Sequence, residues 1–490
     1  MNQRIRRLAL ALMGLFAILF VQLNVIQVSR KTSLDDDQRN TRQPVRDFNE
    51  PRGDIVTADG VVVAFSERRD DSGHPWQRVY PEGELFADVT GYFTFAYGAT
   101  QVERVANDVL AGRTAQQQIQ GIASLFDGAD TTGSVELTLD SRIQEAARSA
   151  LGDREGSVVV VDVQTGAVKA MWSSPSYDPN YVATHDDREV GDLLEYLNEV
   201  PGNPLLANAY QERYMPGSTF KVITTAAALD AGVITLATTF AEESEFVPPQ
   251  TDDPIQNYNQ KTCGGDLTEV FRRSCNTPFA RVALLLGPER MVEATRRFGI
   301  GEKMPFDLPR PAASKFGDTD YFEQNLPLLA IGGFGQGNTQ MVPLHMALIA
   351  ASVANKGAMM KPYVIDATFD HDGRLMNRTS PSVWKQTMTP ATADIMSGLM
   401  QEVVRSGTAS CCLKLANGVE AAAKTGTAQL NGPGEPERSH AWIIGFAPAS
   451  APRYAFAVML KGTTAEISAG TGGTLAGPVA KKVLDVALTR

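Results

Sequence analysis

A serine stands three residues ahead of a lysine in Tyr214-Met215-Pro216-Gly217-Ser218-Thr219-Phe220-Lys221. Pro216 and Gly217 break whatever precedes them, and the pattern predicts a helix from Thr219 to Ala228 with a stop at Gly232. Ser218 then lies at a helix N-terminus, with Lys221 one turn on and on the same face. A serine hydroxyl becomes a nucleophile at neutral pH only with a base within hydrogen-bond reach. A lysine is such a base when burial and neighbouring positive charge lower its pKa. The N–H groups at the helix terminus point where an oxyanion would form. Taken alone, Ser-x-x-Lys also describes many solvated helix faces.

Two further strings complete a chemically coherent set. Ser274-Cys275-Asn276 precedes the break at Thr277-Pro278. On a loop between helices, the Ser274 hydroxyl can relay a proton to or from a leaving group. Asn276 can hold either a substrate amide or the Lys221 side chain; the plainer reading is an Asn in an ordinary turn. Lys424-Thr425-Gly426-Thr427 sits in a strand-like run. There Lys424 and Gly426 share a face, and Gly426 lets a ligand approach the backbone. Lys424 with the hydroxyls of Thr425 and Thr427 suits an anion such as a terminal carboxylate. The backbone N–H groups of Ser218 and Thr427 would form the oxyanion hole. The plainer reading here is an edge strand protected by a lysine.

These pieces need a scaffold to bring them together. The chain has 490 residues and a formal net charge of −11, which argues against a nucleic-acid partner. It has no Walker-type phosphate loop, no metal-ligand spacing among its five His and four Cys, and no sign of a cofactor. Cys411 and Cys412 are adjacent and are not expected to bridge each other. Cys263 and Cys275 can pair with each other or with that doublet. Arg4, Arg6 and Arg7 precede an apolar run from Leu8 to Val21 that continues in mixed form to Val28. This reads as an uncleaved signal-anchor over 8–28, ahead of a cleaved signal peptide or a buried helix. The basic flank places residues 1–7 in the cytoplasm and the rest outside. Residues 30–50 form a polar tether.

Arg52 to Ala64 reads as strand, Asp-Gly turn, strand. A small irregular α+β domain continues to about Gly133, with a helix near Val102–Leu110. A helix over 141–151 is capped by Asp140 or Ser141 and ended by Gly152. Strands at 157–163 and 167–172 form a hairpin. A long helical middle runs from 218 to about 297. Strand-like runs at 420–430, 441–447 and 454–460 precede a final helix over 478–488. The order predicts an α+β fold: an antiparallel sheet flanked by helices, with an all-helical lobe beside it.

A helix-start Ser-x-x-Lys, a loop Ser-x-Asn and a strand Lys-Thr-Gly together resemble the signature set of the penicillin-recognising serine acyltransferases. Across nearly its whole length the chain is similar to the class B penicillin-binding proteins, and within them to the penicillin-binding protein A subgroup. Arg52-Gly53-x-Ile55 with Gly60, Gly335-Gln336-Gly337 with Pro343-Leu344-x-Met346-Ala347, and Ala441-Trp442-x-x-Gly445-Phe446-Ala447-Pro448 carry the resemblance. Thr57-Ala58-Asp59 departs from the family's usual Asp-Arg pair. The resemblance implies a five-stranded penicillin-recognising transpeptidase domain over 138–490, a pedestal or dimerisation-type domain over 29–137, and one membrane span. It implies that Ser218 attacks the carbonyl between the terminal D-alanines of a peptidoglycan stem peptide, with Lys221 as base. Ser274, tuned by Lys424, helps protonate the leaving D-alanine, while Lys424, Thr425 and Thr427 hold its carboxylate. An amine of a neighbouring stem peptide then takes the acyl group, and β-lactams acylate the same serine. The implied partners are a polytopic glycan polymerase and division or elongation proteins, with no metal or organic cofactor. A D,D-carboxypeptidase or a β-lactam-binding scaffold remains as an alternative reading of the same motifs.

Overall fold

The computed structural model describes residues 2–25, 48–69, 74–124, 131–431 and 438–489. Helix α1 (Asn2–Asn24) is long and apolar enough to cross a membrane, and its large apolar side chains, such as Phe16 and Phe20, are exposed. The end of the expected span and nearly all of the polar tether lie outside the described residues.

The pedestal is built on a six-stranded sheet. Strands β1 (Ile55–Val56), β2 (Val62–Arg68), β3 (Trp76–Val79) and β4 (Ser134–Leu137) form one side of it. The sheet then continues into Ile365–Phe369 and Leu375–Arg378, so residues far beyond 137 belong to it. The Arg-Gly-x-Ile string has a packing reason. Arg52 Nε donates to Glu103 Oε2 at 2.6 Å, and Arg78 Nε donates to Glu103 Oε1 at 2.6 Å, all three side chains being buried. Burial alone would push the Glu103 carboxyl up. The two guanidiniums outweigh it and hold the group below its ordinary value. A Cβ on Gly53 would lie 1.8 Å from the Gly133 carbonyl, so only glycine fits there. The helix expected near 102–110 is present as two short pieces, Gln101–Val105 and Asn107–Leu110. Asp59, in the string that departs from the family pattern, accepts from Thr57 Oγ1 (2.7 Å) and from Ser141 N and Oγ (2.9 and 2.5 Å), tying the β1–β2 turn to the next helix.

That helix, α2 (Ser141–Leu151), is capped by Asp140 and ends at Gly152 with φ 61°, as its sequence predicts. Strands β5 (Gly156–Asp162) and β6 (Val168–Ser174) follow as a hairpin. The chain next builds the lobe from α3 (Lys221–Asp230), α4 (Leu267–Arg273) and α5 (Thr277–Arg297). The lobe is not all-helical as expected. Thr239–Glu243 pairs antiparallel with Cys263–Asp266, and Glu245–Phe246 pairs with Ile255–Gln256. The reason is legible afterwards. Pro248-Pro249 and Pro254 exclude a continuous helix, and a Cβ on Gly264 would lie 2.4 Å from the Ala241 carbonyl. Helix α5 is itself interrupted at Gly287 (φ 77°) before Pro288.

After α6 (Pro343–Ala354) and α7 (Pro390–Arg405), strands β7 (Ala422–Gln429), β8 (Ser439–Ala447) and β9 (Tyr454–Leu460) complete the central sheet. Its order is β7-β8-β9-β5-β6 and every pair is antiparallel. Every residue of β8 and β9 is buried. Such strands read as continuous apolar runs because both faces of the sheet are covered. The cover comes from α6 and from α2 packed on the final helix, α8 (Gly477–Ala487). Strand β7 is left at an edge.

Both cysteine pairs are closed. Cys263 bonds Cys275. Cys411 also bonds Cys412, against expectation. Successive hydrogen-bonded turns over 407–413 carry this doublet, with Ser410 N on Gly407 O, Cys412 N on Ala409 O and Leu413 N on Ala409 O.

Candidate active site

Ser218 lies in a tight 3-10 turn, Gly217–Phe220, and the α-helix proper begins at Lys221 rather than at Thr219. The turn is wedged in place. Gly217 has φ 53°, and a Cβ there would lie 2.5 Å from the Thr427 carbonyl. Gly217 N donates to Gly335 O at 2.9 Å, and Trp442 Nε1 on β8 donates to Met215 O at 2.9 Å. A Cβ on Gly426 would lie 2.6 Å from Pro216 O. Gly426 is therefore required by the close approach of the serine turn. It also lines the cleft.

Lys221 and Lys424 are both fully buried, yet both reach Ser274. Lys221 Nζ donates to Ser274 O (2.8 Å) and Asn276 Oδ1 (2.9 Å), with Ser274 Oγ at 3.4 Å. Lys424 Nζ donates to Ser274 Oγ (2.7 Å) and Thr425 O (3.1 Å). Burial, then the charge of Lys424, pushes the Lys221 amine well below its ordinary value. Burial takes Lys424 down to about 7. A neutral amine has two N–H donors and one lone pair. The two short bonds of Lys221 use both donors, so the lone pair is left to accept a proton. The Ser218 hydroxyl makes no hydrogen bond to a described residue and faces the cleft. Such contacts commonly tighten only once substrate is bound.

Ser274 caps α4 in the left-handed region, φ 62° and ψ 39°. This conformation costs a non-glycine residue on the order of 1 kcal/mol, and it aims the Ser274 carbonyl and hydroxyl at the two lysines. Two devices hold it. The disulfide ties the middle residue of Ser-x-Asn, Cys275, to Cys263 in its strand. Asn257, buried, accepts from Asn276 N (2.7 Å) and Thr277 N (3.1 Å) and donates to Glu243 O (2.8 Å). Asn276 is thereby committed to Lys221 through its oxygen and to Gln256 O (3.0 Å) through its nitrogen.

The edge strand supplies the other wall. Leu430 N bonds Arg438 O at 2.7 Å, continuing the β7–β8 ladder. Because an antiparallel ladder alternates, even-numbered residues of β7 face β8, and Thr425, Thr427 and Gln429 turn their N–H and C=O groups outward. The Thr427 N–H thus looks into the same cleft as the Ser218 N–H, which lies in a first helical turn and has no intrahelical acceptor. Thr425 Oγ1 contacts Thr408 Oγ1 at 2.5 Å, and Gly472 N donates to Thr427 Oγ1 at 3.3 Å. The cleft holds about 450 Å³ and is lined by Ser218, Ser274, Asn276, Thr425, Gly426 and Thr427 among others. Asn257, Thr408 and Gly472 also line it and are not marked in the sequence, and Gln336 lines it too, named in the sequence only within Gly335-Gln336-Gly337 and without a role. Among the described residues, the one tight group of possible metal donors is Asp370, His371 and Asp372, away from this cleft in the hairpin turn between Ile365–Phe369 and Leu375–Arg378.

The family model for the penicillin binding protein transpeptidase domain matches residues 156–485. The chain belongs to the penicillin-binding proteins. A second model, the penicillin binding protein A dimerisation domain, matches residues 52–135 of this penicillin-binding protein. It is 34% identical over its whole length to the peptidoglycan D,D-transpeptidase PbpA of Mycolicibacterium smegmatis, covering 99% of that protein. It is 33% identical to the PbpA of Mycobacterium tuberculosis, again over the whole chain and 99% of the relative. The ceftriaxone acyl-enzyme of penicillin-binding protein A from M. tuberculosis superposes with a TM-score of 0.84 at 32% identity, covering 90% of this chain and 99% of that one. The penicillin G acyl-enzyme of the same protein gives 0.82 at 32% identity, covering 90% and 100%. The transpeptidase fold expected from sequence, an antiparallel sheet flanked by helices, is the fold observed.

Proposed function

We propose that this penicillin-binding protein is a peptidoglycan D,D-transpeptidase in which Ser218 is the nucleophile. Lys221 takes the hydroxyl proton as Ser218 Oγ bonds to the carbonyl carbon between two terminal D-alanines. The developing oxyanion accepts from the N–H groups of Ser218 and Thr427, each such donor being commonly worth ~3 kcal/mol. The C–N bond breaks, and the leaving D-alanine nitrogen receives a proton through Ser274 Oγ, which Lys424 holds in line. Thr425, Thr427 and Lys424 favour the departing carboxylate. An amine of a neighbouring stem peptide attacks the acyl-enzyme, forms the new amide, and returns the hydroxyl proton to Ser218. A β-lactam, opening its ring on the same serine, stops at the acyl stage. Lys221 carries this reading: it is fully buried, has both N–H donors occupied, and sits one turn from a cleft-facing serine.

With α1 as its span, the protein is membrane-anchored. We place its basic N-terminus in the cytoplasm and the cleft outside, where the substrate lies. A polytopic glycan polymerase and division or elongation proteins are the proposed partners. The deciding experiment has two parts. Intact-mass and peptide analysis after penicillin G should give one adduct, on the peptide containing Ser218. Incubation with a D-Ala-D-Ala donor and an amine acceptor should give the amide product. Hydrolysis alone would instead mean a carboxypeptidase, and an adduct elsewhere would remove Ser218.

A further inference from the structure

An exposed sheet edge recruits extended peptide by strand addition, and on β7 the outward-facing residues set the register. If the scissile carbonyl accepts from Thr427 N–H, the N–H of that same residue donates to Thr427 O. This is one hydrogen-bonded antiparallel pair. The residue two places upstream in the donor peptide then falls opposite Gln429, the next outward-facing position.

That position is already taken. Gln336 lies in the cleft wall with Ser218, Thr427 and Gln429. With its nitrogen toward the Gln429 carbonyl and its oxygen toward the Gln429 N–H, its carboxamide makes both bonds at 3.3 Å. These are the two bonds an added antiparallel residue would make. The loop that presents it is fixed at both ends. Gly335 has φ 81°, and a Cβ there would lie 2.1 Å from Gly217 O. Gly337 has φ 65°. Gly335 O also accepts from Gly217 N, so the loop is held by the serine turn itself.

We infer that Gln336 is a register stop, a positioning residue that occupies the edge at Gln429 so that the donor peptide pairs with β7 through one residue only. The inference rests on the transpeptidase reading. The substrate it selects is a stem peptide whose chain turns away from the sheet directly upstream of the scissile-carbonyl residue, rather than a longer extended strand.

The test is a length series on the membrane-anchored protein: N-blocked peptides ending in D-Ala-D-Ala, with one, two or three residues ahead of the penultimate D-alanine. kcat/KM is measured for wild type, for Gln336→Met, which keeps the volume without the amide, and for Gln336→Ala. Each gain is a ratio within one protein, so a general loss of activity cancels. Wild type should gain less than twofold from the second upstream residue. Both variants, with two backbone bonds freed, should gain about tenfold, equivalent to ~1.4 kcal/mol. A tenfold gain already present in wild type overturns the stop, as does a flat series in both variants. Failure of penicillin G to acylate wild-type Ser218 is a different result: it removes the transpeptidase reading and takes this inference with it.

Discussion

Asp88 offers a sharp test of how the pedestal is docked. It lies on the short helix Ala87–Thr90, fully buried, with Ser173 of β6 offering its hydroxyl and N–H; its second oxygen, Oδ2, has no partner among the described residues. Burial, only partly offset by Ser173, raises its carboxyl from an ordinary 3.8 to about 7. The folded state therefore binds this proton more tightly than the unfolded chain. Its contribution is fully present below pH 3.8 and is lost as pH rises through about 7. At ~1.36 kcal/mol per pH unit, the whole effect is about 4 kcal/mol, more than half of which falls between pH 5 and pH 8. Asp88→Asn keeps the shape and removes the titration. Its stability relative to wild type should rise by roughly 2–3 kcal/mol on going from pH 5 to pH 8. Any fixed cost of the new amide is the same at both pH values and cancels in that difference. Urea unfolding of the two proteins at each pH measures it. Equal relative stabilities at pH 5 and pH 8, or a gain toward pH 5, would refute the reasoning.

Other expectations concern the cleft. Ser218→Ala should remove all β-lactam adduct by mass spectrometry while the melting temperature stays within a few degrees. Because Lys221 is held well below its ordinary 10.5 by burial and by Lys424, the acylation rate should level off well below that pH and fall on acidification; a rate still climbing tenfold per unit toward pH 10 would show an unperturbed lysine. Asn257→Ala frees Asn276 N and Thr277 N, and should cost ~1–3 kcal/mol of stability together with a slower acylation measured by stopped flow. Glu103→Gln leaves two buried guanidiniums without their counter-charge and should destabilise by ~3–5 kcal/mol in denaturant titrations.

The three strings that converge at the cleft were legible because each is local: one helical turn, one loop, one strand. Their convergence was legible only as a set. What the sequence hid depends on tertiary approach. Asn257 is an ordinary turn asparagine until the hairpins of the lobe carry it to Asn276. Those hairpins lie between the helices α3 and α5, and only the prolines at 248, 249 and 254 mark them in the sequence. Gly426 is also required by the approach of the serine turn, which the strand pattern alone does not show. The vicinal Cys411–Cys412 bond sits in successive turns over 407–413 that the adjacency of the pair does not reveal.

Gly217, Gly335 and Gly426 leave no space for even a methyl group around the serine turn. Such a floor is intolerant of change. Variation that leaves the serine turn in place is therefore confined to exposed rim residues such as 258–260, since Asn257, Gly472 and Gly473 are themselves held by close contacts.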